Sequence, residues 1–225
     1  MKIKILILIL LLQLPLYAQD GNSEPDQPVN IITIDGVNYA EEFPSKMQLN
    51  RRVIFLYDRS GSMSSTSLTS ATRFIQSIIT SNVDDFEIAI IAFDDITSRW
   101  PGIPEPDSNP PIPNGWARLP SRIAIERSLT WINGLSSRGN TNVTLALRTA
   151  MAEPVDELSI VLVSDGLFGE TPQEIITMLE ASQERRIDRD LQPVSIMAFG
   201  AITEKNDMLM AIGEFGQLGY YRVSN

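Results

Sequence analysis

The stretch VIFLYDRSGSM, residues 53–63, joins a continuous apolar run to a loop of small, oxygen-bearing side chains. The run at 53–56 is typical of a strand that is buried on both faces. Similar apolar runs follow at 88–93, 158–163 and 194–199. The sequence therefore predicts several buried strands of one parallel sheet.

Helical patterns separate these runs. Thr171-Pro172-Gln173-Glu174 is a capping box with proline at the first helical position, so it opens a helix. Strands alternating with helices predict an α/β fold, a doubly wound, mostly parallel open sheet with helices on both faces. Residues 96–100 are expected to pair back on the strand at 88–93 as one antiparallel edge strand. The other helices are expected at 68–79, 123–132, 145–151 and 208–212, and a last strand at 220–223.

The chain has 225 residues, which is enough for one sizeable core. We expect a signal peptide at 1–18, an N-terminal linker or extension at 19–48, and the folded domain at 49–225. Within the extension, residues 31–37 are expected to form a short strand, or a hairpin that turns at Asp35-Gly36.

Residues 1–18 have the parts of a secretory leader. Two lysines precede an apolar run from Ile5 to Leu12, and Ala18 stands at the expected cleavage point. The alternative is an uncleaved membrane anchor, but the apolar stretch is shorter than the roughly 20 residues of a spanning helix. Gln19 stands where a lipoprotein would need a cysteine. We expect an exported protein, periplasmic or extracellular, with no membrane insertion after cleavage.

Composition excludes several functions. The chain carries 18 basic and 28 acidic residues, a net charge of −10, which disfavours nucleic acid and anionic membranes as partners. It has no cysteine and no histidine. This excludes disulfides, thiolate or histidine zinc sites, and Ser-His-Asp catalysis. No catalytic residue is predicted, and we expect the protein not to be an enzyme.

Residues 101–120 hold seven of the fourteen prolines. Such a stretch cannot be a helix interior or a central strand, so it is predicted to be an inserted loop, with polyproline character at 109–113. It could dock a partner, but a surface loop without a role is the preferred interpretation.

Three polar loops are expected to meet at one edge of the sheet. Residues 58–63 follow the first strand, Gly139-Asn140-Thr141-Asn142 precedes a predicted helix, and Ser164-Asp165-Gly166 follows the third strand. Doubly wound sheets bind ligands at the carboxyl ends of their strands, where the strand order reverses. The candidate metal ligands are Asp58, Ser60, Ser62, Thr141 and Asp165.

These five side chains would form a hard oxygen site. Two carboxylates and three hydroxyls suit one divalent cation, Mg²⁺ first, with Ca²⁺ or Mn²⁺ as alternatives. Alternate residues on a tight loop can turn several oxygens toward one point, and Gly61 lets the backbone bend closely there. Because two carboxylates only balance the charge of the ion, an acidic group from outside could complete its coordination.

Each loop taken alone has a simpler interpretation. Residues 58–62 could cap the next helix, Thr141 could be a hydroxyl that starts a helix, and Asp165-Gly166 could be a simple turn. Asp94-Asp95 could be a second metal site, but a hairpin turn is preferred. Arg59 and Met63 are interpreted as structural or solvated, and Trp100, Trp116 and Trp131 as core or loop anchors.

The combination resembles the von Willebrand factor type A (VWA) domain family. Residues 58–63 are similar to its D-x-S-x-S motif, 139–143 to its threonine loop, and 163–166 to the segment around its second aspartate. The tail at 211–221 is similar to the family's last helix and strand. The resemblance covers about residue 50 to the end.

The resemblance implies a metal-ion-dependent adhesion site, in which a ligand carboxylate often completes the coordination of one divalent ion. The expected function is an exported, metal-dependent protein-binding module for adhesion or assembly, with an acidic side chain of another protein as its target. One alternative is a structural envelope subunit with a stabilising metal. The other is a metal-assisted hydrolase, for which the chain offers no obvious general base near the site.

The sequence departs from the family in two places. Only Ser224 and Asn225 follow the last predicted strand, where the family usually has another helix, so the sheet face near Tyr221 is expected to be less covered. The Pro-rich insertion at 101–120 is also unusual in the family.

Overall fold

The computed structural model describes residues 30–34, 37–41, 49–81, 86–101 and 115–223. Strands and helices alternate along most of this part of the chain. The elements are β1 (Asn30–Ile34), β2 (Val37–Glu41), β3 (Arg52–Asp58), α1 (Ser65–Ser81), β4 (Glu87–Phe93), β5 (Thr97–Trp100), β6 (Ala117–Arg118), α2 (Arg122–Asn133), α3 (Val143–Met151), β7 (Leu158–Ser164), α4 (Pro172–Ile187), β8 (Ser195–Gly200), α5 (Asp207–Phe215) and β9 (Gln217–Val223).

The strands form one sheet in the order β1-β2-β9-β8-β7-β3-β4-β5, and β6 pairs with β4 beside that path. The five central strands, from β9 to β4, are parallel to one another. β5 runs antiparallel to β4, as predicted for the edge strand. The chain leaves β3 toward β4 and leaves β7 toward β8, so the strand order reverses between β3 and β7. This is the predicted doubly wound α/β arrangement.

Side chains of the central strands alternate between two apolar layers. Ile54 and Leu56 of β3 pack into the layer that α3, α4 and α5 cover, whereas Val53 and Phe55 face the layer of α1 and α2. All seven residues of β4 and of β7 are buried. Burial on both faces explains why these strands are continuous apolar runs in the sequence.

The predicted hairpin of the N-terminal extension belongs to the same sheet. β1 and β2 pair antiparallel, with Ile34 opposite Val37, and β2 pairs antiparallel with β9. The turn at Asp35-Gly36 lies outside the described residues, as do residues 1–29 with the predicted leader. The extension therefore adds two strands beyond β9.

The Pro-rich insertion returns to the core at its C-terminal end. Trp116 and Leu119 are 3% and 2% exposed, and β6 between them pairs with the start of β4. The prediction of a surface loop throughout 101–120 is therefore wrong for the buried Trp116 and Leu119, whereas the interpretation of Trp116 as a core or loop anchor is confirmed. The expected polyproline stretch at 109–113 lies outside the described residues.

The sheet face near Tyr221 was expected to be less covered than in the family, but Tyr221 itself is buried. Tyr221 is only 7% exposed, while Met197 and Val223 beside it are partly buried. Within the described ranges, no helix is both long and apolar enough to cross a lipid bilayer.

Candidate metal site

The aspartate–serine loop, residues 58–63, starts at the last residue of β3. Asp58 and Ser60 are completely buried, and Ser62 is exposed. The Ser60 amide donates to Oδ1 of Asp58 at 2.8 Å, and the Ser60 and Ser62 hydroxyls lie 3.0 Å apart. Three of the five predicted ligands are thus held in one tight turn.

The loop after β7 contacts this turn directly. The Ser164 hydroxyl donates to Oδ2 of Asp58 at 2.5 Å. The next residue, Asp165, is 2% exposed, and its Oδ1 accepts the Leu167 amide at 3.1 Å. Its Oδ2 is buried and has no hydrogen-bond partner among the described residues. A buried carboxylate oxygen without a partner is unfavourable, and a cation beside it would remove that penalty.

The threonine loop, residues 137–142, closes the site from the third side. The Gly61 amide donates to the Gly139 carbonyl at 3.0 Å, and the Ser137 hydroxyl donates to the Ser60 carbonyl at 2.7 Å. Thr141 follows two residues after Gly139, immediately before the cap of α3, and is partly buried. The three loops therefore meet at the carboxyl edge of the sheet, where the strand order reverses.

Asp94, in the turn between β4 and β5, ties two of these loops together. Its Oδ2 lies 3.0 Å from Nε of Arg59 and 2.8 Å from Nε of Arg138. Its Oδ1 accepts the Ile96 amide at 2.9 Å, and its carbonyl accepts the Asn142 amide at 3.1 Å. The preferred hairpin-turn interpretation of Asp94-Asp95 is confirmed, because this carboxylate is committed to two arginines and the turn.

The pKa of Asp94 reflects these partners. Burial opposes ionisation, but the hydrogen bond from Arg138, the Ile96 amide and the charge of Arg59 together hold the pKa below its ordinary value. Asp94 is thus ionised near neutral pH and acts as a fixed negative charge beneath the loops. Arg59, interpreted as structural or solvated, is structural, and so is Met63, which is 2% exposed.

Other residues cap the helices beside the site. Ser64 accepts the Ser67 amide at 3.1 Å and so caps α1, while Asn142 accepts the Leu145 amide at 2.9 Å and caps α3. The capping interpretation of residues 58–62 is therefore wrong, and Thr141 does not cap α3. The turn interpretation of Asp165-Gly166 explains Oδ1 of Asp165, which accepts the Leu167 amide, but it does not explain the unpartnered Oδ2.

Burial raises the pKa of Asp58 to about 6. The hydrogen bonds from Ser164 and Ser60 lower it, and the negative charge of Asp165 raises it further. The two buried carboxylates therefore lie close enough for the charge of Asp165 to oppose the ionisation of Asp58. Such a pair fits a divalent cation, whose charge would offset this repulsion.

In the part of the chain that the structure covers, no group of three or more His, Cys, Asp or Glu side chains could hold a metal ion. The predicted ligand set contains two carboxylates and three hydroxyls, so this finding does not bear on it. Each oxygen of Asp58 already accepts one hydrogen bond and retains a second lone pair for a cation or for a bound water.

Two contributions to the site were not foreseen from the sequence. Ser164 was part of a noted motif, but its hydrogen bond to Asp58 depends on the pairing of β3 with β7. Asp94 was noted as a turn residue, while its arginine partners are 35 and 44 positions away in the chain. An unusually acidic turn next to a predicted strand end was the only signal for it.

Solved structures with the same arrangement support this description of the fold. A von Willebrand factor type A structure from Catenulispora acidiphila superposes with a TM-score of 0.56 at 16% identity, over 80% of this chain and 39% of that chain. The chain has a VWA fold. At such low identity the likeness establishes the fold alone.

Two other structures have similar folds. One is an aerotolerance-related membrane protein from Bacteroides fragilis, solved with multiple mutations to serines (TM-score 0.53, 17% identity, 77% of this chain and 92% of that chain). The other is the PilB minor pilin from Streptococcus sanguinis (TM-score 0.53, 14% identity, 81% of this chain and 59% of that chain). The chain thus spans less than two thirds of the length of two of these three structures. No protein-family model and no curated protein matches the sequence.

Proposed function

We propose that this chain is an exported, metal-dependent protein-binding module. One divalent cation would be held, directly or through water, by Asp58, Ser60, Ser62, Thr141 and Asp165. Mg²⁺ is the preferred ion, and Ca²⁺ and Mn²⁺ are the alternatives. An acidic side chain of a partner protein would complete the coordination. The cation supplies the positive charge that binds the partner's carboxylate.

The observation that carries this proposal is the unpartnered, buried Oδ2 of Asp165 beside the buried carboxylate of Asp58. Two buried negative charges of this kind destabilise a fold unless a cation neutralises them. Ser62 is an exposed residue, which leaves one side of the site open to a partner. A VWA fold, with its ligand edge at the strand-order reversal, is consistent with such a site.

The proposed setting is outside the cytoplasm. The basic, apolar and small-residue parts of residues 1–18 support export. Two of the similar structures are a membrane-associated protein and a pilin, which agrees with adhesion or assembly at the cell envelope. The acidic net charge argues against nucleic acid as the partner.

Metal binding is tested by thermal unfolding of the purified chain with and without Mg²⁺. Thr141→Ala should lose the metal-induced rise in Tm. Thr149→Ala is the matched control, because the Thr149 hydroxyl bonds within α3 to the Leu145 carbonyl and is remote from the loops. Equal stabilisation of Thr141→Ala and the unaltered chain would reject the proposed ligand set.

Partner binding is tested by a pull-down from envelope extract in Mg²⁺ or in EDTA. A partner that is retained only with metal, and only when Thr141 is present, supports the binding module. Metal-dependent stability without any metal-dependent partner would instead favour the structural envelope subunit. Turnover of phosphoesters or peptides that is lost in Asp58→Asn would favour the hydrolase.

A further inference from the structure

Exposed apolar residues stand in or next to the loops that form the proposed metal site. Five large hydrophobic residues are exposed among the described side chains. Three of them are Ile96, Leu145 and Leu167, which are 55%, 39% and 61% exposed. Ile96 and Leu167 lie in loops at the carboxyl edge, and Leu145 lies in the first turn of α3. Exposed apolar side chains that cluster at a polar site indicate an interaction surface.

Each of the three is tied to a residue of the site by its own backbone amide. The Leu167 amide donates to Asp165, and the Leu145 amide donates to Asn142, the neighbour of Thr141. The Ile96 amide donates to Asp94 at 2.9 Å. These bonds fix the backbone of the apolar residues relative to the loops. The backbone of each is therefore anchored beside the site, and these three residues form its apolar rim.

The rim has two sides, set by the order of the strands. Leu167 follows β7 and Ile96 follows β4, and these strands lie on opposite sides of β3, which ends at Asp58. Neighbouring strands are about 4.8 Å apart, so the strand ends of β7 and β4 are separated by roughly 10 Å. About three residues of an extended chain span that distance.

The charges of the rim favour one carboxylate over several. Asp95 is exposed beside Gly139, and Glu170 accepts the Thr144 hydroxyl at 3.0 Å in the first turn of α3. Two carboxylates that flank an already acidic site would repel further acids in a ligand. The cation neutralises the charge of only one ligand carboxylate, the one in contact with it.

Building on the metal-dependent function proposed above, we propose that the partner presents a single Asp or Glu flanked on both sides by large apolar side chains. The carboxylate reaches the cation at the end of β3. The apolar neighbours, one or two positions before and after it, cover Leu167 on the β7 side and Ile96 on the β4 side. The segment crosses the strand ends in an extended conformation.

A displayed library of seven-residue peptides with a fixed central Glu and six random positions tests this proposal. The purified chain selects from the library in Mg²⁺, with a parallel selection in EDTA. Large apolar residues should be enriched on both sides of the Glu in Mg²⁺ only. Leu167→Ser should weaken the selected peptides about tenfold, the scale of losing one buried leucine contact, while retaining the Mg²⁺-induced rise in Tm.

Ile187→Ser is the matched control. Ile187 is 47% exposed, but it ends α4 at the opposite edge of the sheet, so this variant should bind the peptides as the unaltered chain does. Metal-dependent selection without apolar enrichment, or peptides indifferent to Leu167→Ser, would overturn this inference and leave the proposed function standing. If Mg²⁺ raises the Tm but selects no peptide, or if binding persists in EDTA, the proposed function itself fails.

Discussion

Nε of Arg59 and a carboxylate oxygen of Asp94 lie 3.0 Å apart, and only 8% and 3% of the two side chains are exposed. The Nε–H of Arg59 has no hydrogen-bond partner in the described structure, so charge holds this pair, while Nη2 donates to the Ser98 hydroxyl at 3.1 Å. The aspartate–serine loop is thereby fixed to the turn between β4 and β5. Arg138, from the threonine loop, reaches the same carboxylate from the solvent side.

Asp94→Ala should destabilise the protein by about 3 kcal/mol, because it leaves the buried guanidinium of Arg59 without its counter-charge. Urea denaturation in EDTA measures this change without any contribution from metal. The affinity for Mg²⁺ should fall as well, since both loops lose their common anchor. An unchanged Mg²⁺ affinity in Asp94→Ala would show that the loops keep their positions without it.

Arg138→Ala provides the comparison. The side chain of Arg138 is 54% exposed, so its ion pair with Asp94 is screened by water. We expect this variant to lose less than about 1 kcal/mol. Equal losses in Arg138→Ala and Asp94→Ala would contradict the view that the buried Arg59 pair dominates.

Ser62 and Ser64 should have separable roles. Ser64→Ala removes the cap of α1 and should cost about 1 kcal/mol of stability, with Mg²⁺ affinity unchanged. Ser62→Ala should leave the metal-free stability unchanged and lower Mg²⁺ affinity by at least about tenfold. Chemical denaturation and metal titration of both variants give the four measurements. A loss of stability in Ser62→Ala alone would restore the capping interpretation.

The central strands were predictable because a strand that is buried on both faces requires a continuous run of apolar residues in the sequence. The helices were predictable because a helix that packs on one face has apolar residues with a 3.6-residue period. β3 with its following loop, and the capping box of α4, are examples. The meeting of the three loops followed from one topological rule, that ligand sites lie at the carboxyl ends of strands. Local patterns of this kind need no knowledge of distant contacts.

The remaining features depend on contacts that no local pattern records. The ion pairs of Asp94 with Arg59 and Arg138 join residues from three loops. The packing of Trp116 and Leu119 depends on the pairing of β6 with β4. In the N-terminal extension, a short strand or a hairpin was foreseen, but the pairing of β2 with β9 brings together segments that are far apart in the chain. Tertiary context decided these features.

Gly61 marks the closest approach of the aspartate–serine and threonine loops. A β-carbon at this position would lie 2.9 Å from the Gly139 carbonyl oxygen, closer than such atoms approach in proteins. Gly61→Ala should therefore push the loops apart and lower Mg²⁺ affinity about tenfold. Gly169→Ala is the matched control, because a β-carbon there would meet nothing within 4 Å. Calorimetric titration of both variants should find the loss only in Gly61→Ala.

The Mg²⁺-induced stabilisation should depend on pH through Asp58. The folded protein raises the pKa of this carboxyl from 3.8 to about 6, so the folded state binds the proton more tightly than the unfolded chain. Without metal, ionisation of Asp58 therefore lowers stability as the pH rises from about 4 to 6. Below pH 6 the cation must displace that proton, so Mg²⁺ affinity should fall about tenfold per pH unit. Thermal unfolding at pH 5 and 7.5, with Mg²⁺ or EDTA, measures the effect. Asp58→Asn should lose the Mg²⁺-induced stabilisation at both pH values. Equal stabilisation of the unaltered chain at both pH values would exclude Asp58 as a ligand.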